Sequence, residues 1–370
     1  MTRIAAAKEA GEENAAPQAR RRLRGLYAPI PLAFLGLGVY RAWIEITFVG
    51  SFVNFPAFSL STRDLFDFSA VAEMVLFVLL ARRIGPLYTK RWPFALCAAA
   101  MLASTVLLFA SFFAPGLAGS LGVVTSVAGG VGLGLIILIW SELYGCLNPI
   151  RVTLYYAASL VVGALIIYLY MGLKMPWLFV MTALLPIVSL ASACKGFALL
   201  PEGERPQKAW VSISVPWKII LLMVFFAFSY GIVEANAYQG YFGPHSSPGT
   251  FAVSGVVLLG VLVKRDKFDF NTLCRIALPL TVVALFMVLC SNLCYRYGVS
   301  AIWLFGMERS LRLVFMFLGR CVYEYGSVIT VGSVRGTTIA SGIAILAVVM
   351  GTFFLLSQKE LSSKWGASFL

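Results

Sequence analysis

The feature that most limits what this chain can fold into is a succession of apolar runs. They lie at 28–55, 65–81, 92–113, 119–143, 150–171, 176–197, 215–237, 249–263, 274–294, 300–319 and 336–357. A helix that crosses a bilayer needs about 20 such residues. The bilayer interior offers no partner to an exposed N–H or C=O, so these runs must form helices or a closed barrel. They lack the period-2 alternation of barrel strands, which excludes the barrel. Composition agrees: 60% of the 370 residues are hydrophobic and 12% charged. An ordinary soluble domain runs at about half apolar and a quarter charged. The expected fold is therefore all-α, a polytopic membrane protein of eleven or twelve transmembrane helices.

A net charge of +13 would suggest nucleic acid in a soluble protein, but in a polytopic one its distribution reports topology. With the N-terminus inside, one set of connections holds Arg20, Arg21, Arg22, Arg24, Arg82, Arg83, Lys90, Arg91, Arg205, Lys208, Lys264, Arg265, Arg320 and Arg335, among others. The opposite set holds only Arg63, Lys174 and Arg296. The bias predicts a bacterial cytoplasmic (inner) membrane protein, multi-pass, with a cytoplasmic N-terminus. Residues 1–27 read as a basic tail beside anionic lipid rather than a nucleic-acid arm.

The longest internal cytoplasmic connection, residues 199–214, follows the sixth run and divides the chain. It predicts an N-terminal six-helix half at 28–198, a C-terminal half of five or six helices at 215–358, and a short tail at 359–370. Two such halves are the layout of the major facilitator superfamily. Tyr40-Arg41-Ala42-Trp43-Ile44-Glu45 in the first run and Tyr230-Gly231-Ile232-Val233-Glu234 in the seventh are a faint internal repeat. The turn Ala81 to Arg91 resembles an eroded form of that superfamily's basic, glycine-containing loop, without its acidic residue. Segment 128–134 is rich in glycine inside an apolar run, which suits close helix packing and not phosphate binding.

Ionisable residues inside spans are costly unless paired or facing a wet cavity, which makes them functional candidates. These are Arg41, Glu45, Glu73, Glu234, Glu308, Arg309 and Arg312. One reading lets Glu45, Glu73 and Glu234 converge on a cavity as proton or cation ligands, with Arg309 or Arg312 receiving an anion. The other is local neutralisation of Arg41 by Glu45 and of Arg312 by Glu308, each four residues apart. Glu142, at the inner end of its run, reads as solvated at the interface.

The one histidine, His245, falls in an external turn, and no metal-ligand spacing or nucleophile–base pair occurs in the spans. The expectation is a protein that is not an enzyme and needs no cofactor. Its partners would be membrane lipid and a small-molecule ligand. Cys290 and Cys294 share a helix face and read as packing residues.

Trp140-Ser141-Glu142-Leu143-Tyr144-Gly145-Cys146-Leu147-Asn148-Pro149, with Leu154-Tyr155-Tyr156-Ala157-Ala158-Ser159 after it, resembles the junction between spans four and five of LuxR-type transcriptional regulators of gut actinobacteria. Phe354 to Gly366 is similar to the exit from their membrane domain. The resemblance implies a major-facilitator-like, ligand-sensing membrane domain, with Trp140, Glu142 and Tyr144 as its motif residues. In that family a DNA-binding helix-turn-helix domain follows, whereas this sequence ends at Leu370 without such a pattern. The expectation is a sensor domain without its output, contacting no nucleic acid as it stands; the alternative is a proton-coupled secondary transporter. The family also implies an even span count, so either one span is missing or Cys321–Val334 forms a short re-entrant piece.

Overall fold

The computed structural model describes residues 31–49, 53–206, 217–236, 286–296, 298–331 and 334–356. Helix α1 spans Leu32–Val49, opening in a 3₁₀ turn and closing in a π-helical one. Then come α2 (Leu60–Ile84), α3 (Arg91–Ala110), α4 (Ala118–Gly145), α5 (Pro149–Tyr170) and α6 (Met175–Leu199). Beyond the connection lie α7 (Trp217–Asn236), α8 (286–296), α9 (Ala301–Val328) and α10 (Gly336–Leu356). The described residues are helical apart from short turns and an antiparallel ladder that pairs Thr330 with Arg335 and Val331 with Val334.

Five helices among the described residues are long and apolar enough to cross a membrane: α1, α3, α4, α5 and α6. Large apolar side chains such as Leu79, Phe113, Tyr168 and Trp177 stand outward, as a lipid-facing surface requires. The predicted runs at 249–263 and in the first part of 274–294 lie outside the described residues, as do the basic tail, the C-terminal tail and His245.

Local chemistry sets the helix starts. Ser59 and Thr62 form a capping box that opens α2, the Ser59 hydroxyl accepting from the Thr62 N–H at 3.2 Å and the Thr62 hydroxyl from the Ser59 N–H at 2.8 Å. Asn148 caps α5 by accepting from the Ile150 N–H at 3.1 Å, with Pro149 as the first helical residue.

Glycine sets the closest crossings. Gly38 of α1 meets the Ser159 carbonyl and Gly163 of α5. Gly129, Gly130 and Gly132 of α4 receive Phe48, the Phe66 carbonyl and Met101 respectively, which is the packing role expected of that run. In the second helix group Gly231 of α7 abuts the Met316 backbone of α9, and Gly319 abuts Phe228. α1 thus packs against α5 and α6, while α7 packs against α9 and α10. Between the groups, α9 lies along α2 and touches α4.

The contacts fix which ends lie together. The C-terminal ends of α2, α4 and α8 and the start of α9 surround one cavity, so this is one end of the bundle. Tyr295 and Gly298 line it, placing Arg296 at the same end as Arg82 rather than opposite it. Arg320, assigned above to the basic connections, lies at the other end beside Arg63. The reason is pairing: both arginines are buried against the same aspartate, so neither behaves as a loop charge. Nor is Cys321–Val334 re-entrant, since α9 continues to Val328 and the ladder then turns the chain into α10. α9 has 28 residues, about 42 Å at 1.5 Å per residue, longer than the ~30 Å hydrocarbon core. Ala340 packs by Ile232, and the Ala344 carbonyl accepts from Ser229. α10 therefore runs antiparallel to α7, back toward the cavity end.

Candidate functional site

The motif residues of α4 each reach a different neighbour. Trp140 donates through its indole N–H to Ser189 of α6 at 3.0 Å, and Ser189 in turn donates to the Gly36 carbonyl of α1 at 2.8 Å. Tyr144 donates to the Phe34 carbonyl at 3.0 Å, with the Ser159 hydroxyl of α5 at 3.3 Å. Gly145 lies against Cys294 and Ala301 of the second group.

Glu142 departs from the expectation of a solvated carboxylate. It is 3% exposed, and its two oxygens accept from the backbone N–H groups of Leu87 and Tyr88, each at 3.0 Å. These N–H groups open a short 3₁₀ turn, Leu87–Thr89, whose donors have no partner of their own. The carboxylate satisfies them and clamps the α2–α3 connection onto the end of α4.

The cavity at this end has a volume of about 490 Å³. Arg82, Glu142, Cys146, Arg205, Cys294 and Ser300 are among its lining residues, so both helix groups contribute.

Deeper in the bundle, Arg41 and Glu45 pair at 3.8 Å, and Arg312 and Glu308 at 3.7 Å. Both are the four-residue pairings anticipated from spacing. Arg309 is nearer still to Glu308, at 3.1 Å. It is 8% exposed, and its Nη2 donates to the Met287 sulfur of α8 at 3.4 Å. Its Nε and one Glu308 oxygen make no aligned hydrogen bond among the described residues. Tyr40 of α1, Tyr156 of α5 and Cys290 of α8 lie within electrostatic reach of Arg309. The arginine thus stands where the two helix groups face each other.

The three glutamates are not gathered into one group by the described contacts. Glu45 is committed to Arg41. The Glu73 carboxyl rests on Gly134 of α4, near Cys97 of α3, and neither oxygen has a hydrogen-bond partner among the described residues. Glu234 is in α7, its side chain outside the described residues.

One charged cluster escaped the sequence. Asp67 of α2 is 3.4 Å from Arg63 and 3.0 Å from Arg320 of α9, while Asp64 is 2.8 Å from Arg320. Arg63 also donates to the Phe48 carbonyl at 2.8 Å. Phe68 and Phe317 meet edge-on beside the cluster, their centroids 4.7 Å apart. The group ties α2 to α9 at the end opposite the cavity. A run of charge at 63–67 was the available signal; its partner 253 residues away was not.

No protein-family model matches the chain, and no curated protein matches it.

Proposed function

We propose that the chain is a membrane-embedded ligand-sensing domain of the major-facilitator-like kind, resembling that of LuxR-type regulators, with its ligand held between two helical halves. The observation that carries this reading is Arg309, a buried guanidinium between α1 and α5 on one side and α8 on the other, with donor capacity left over. A buried charge left incompletely satisfied among the described residues is costly to maintain and points to use.

The two-half layout draws support from repeated packing. In each group the first helix lies on the last two, with a glycine crossing between first and penultimate helix, Gly38 on Gly163 and Gly231 on Gly319. On this reading α9 and α10 close the second half as α5 and α6 close the first. Residues 237–285 lie outside the described residues. The cavity opens on the cytoplasmic side, where the charge bias places the connections after α2, α4 and α6.

A cavity at one end and an ion-paired contact at the other also suit a carrier that alternates its access, which keeps the proton-coupled transporter as the second reading. The two separate in proteoliposomes. A thermostability screen of metabolites on the purified chain supplies a ligand, and that ligand is assayed for uptake and for its effect on maleimide labelling of Cys146 and Cys294 in the cavity. The sensor reading predicts saturable binding and altered labelling with no uptake above empty liposomes. Uptake assigns the chain to transport.

A further inference from the structure

The surroundings of Arg309 specify a ligand class, an inference that rests on the reading of a ligand held between the halves. Arg309 and Arg312 share the single carboxylate of Glu308, which among the described residues leaves one positive charge uncompensated in this cluster. Tyr40 and Tyr156 are nearly buried, and no hydrogen bond among the described residues engages either hydroxyl. Met287 and Cys290 make the adjoining surface apolar.

We infer that this site binds a small monocarboxylate with an apolar or aromatic body. One negative charge cancels the surplus, whereas a dianionic phosphate would reverse it. A planar carboxylate matches the guanidinium fork, and tyrosine hydroxyls can donate to its second oxygen. Cations meet two guanidiniums, and neutral molecules leave the surplus charge buried.

The test uses the full chain in detergent, with equilibrium binding of radiolabelled benzoate and with acetate, tetraethylammonium and benzyl alcohol as competitors. Benzoate is expected to bind saturably and to be displaced by excess acetate but by neither of the others. Arg309→Gln should weaken binding at least about tenfold, Arg309→Lys should retain an intermediate affinity, and Glu308→Gln should tighten it severalfold by freeing the guanidiniums. Absence of saturable benzoate binding overturns the inference, and so does unchanged affinity in both Arg309 variants. If tetraethylammonium binds instead, and Tyr40→Phe weakens it, the anion class fails while a ligand between the halves stands. If benzoate binds wild type and every variant alike, the site between the halves fails as well.

Discussion

Arg320 of α9 donates to Asp64 of α2 at 2.8 Å and to Asp67 at 3.0 Å, across more than 250 residues of sequence. Asp67 is the pivot, because it is buried and also holds Arg63, whereas the Asp64 side chain is 34% exposed.

The two aspartates should therefore differ. Asp67→Asn removes the buried carboxylate that Arg63 and Arg320 share and is expected to cost about 3–5 kcal/mol. Asp64→Asn removes a partly solvated partner and should cost about 1 kcal/mol or less. Thermal or chaotrope denaturation in detergent checks the order, and equal losses would show that Asp67 is not the pivot.

Glu142→Gln replaces one acceptor oxygen with an NH₂ facing a backbone N–H. The expected loss is about 1–3 kcal/mol, concentrated in the α2–α3 connection. Limited trypsin digestion should then cut faster after Arg82, Arg83, Lys90 and Arg91, with cleavage elsewhere unchanged.

Glycines of this fold divide by what a methyl group would meet. At Gly38 it would run into the Ser159 carbonyl, so Gly38→Ala should destabilise by about 1–3 kcal/mol. At Gly119 in α4 nothing lies within 4 Å, so Gly119→Ala should be neutral or stabilising by up to about 1 kcal/mol. Melting temperatures of the pair measure the contrast.

Glu73 has two buried oxygens without hydrogen-bond partners among the described residues. Glu73→Met, similar in length and apolar, should raise the melting temperature if the carboxyl only fills space against Gly134. A fall in stability would show that the carboxylic acid itself is needed there.

Runs bounded by turns could be read from the sequence almost to the residue, as 119–143 against Ala118–Gly145 and 176–197 against Met175–Leu199 show. Boundaries failed where charge entered a helix. α2 begins at Leu60 rather than 65, and α9 continues to Val328 rather than 319. In both places the charges that interrupt hydropathy are neutralised by each other across the bundle. The pairs Arg41–Glu45 and Glu308–Arg312 were legible because four-residue spacing on a helix is local. The partners of Glu142 are loop N–H groups 54 and 55 residues away, and Tyr40 and Tyr156 come within electrostatic reach of Arg309 only through the fold. No spacing rule reaches such contacts.

The central claim is that the α4–α5 and α8–α9 connections lie at one cytoplasmic end of the bundle, around a shared cavity. Its most direct test is labelling by a membrane-impermeant maleimide in cells that carry the chain without its natural cysteines. Single cysteines are placed by Tyr295→Cys, Gly203→Cys and, at the opposite end, Phe113→Cys. The account predicts that positions 295 and 203 stay protected in intact cells and react in inverted vesicles, while position 113 does the reverse. Labelling of position 295 in intact cells, with position 203 protected, would contradict it.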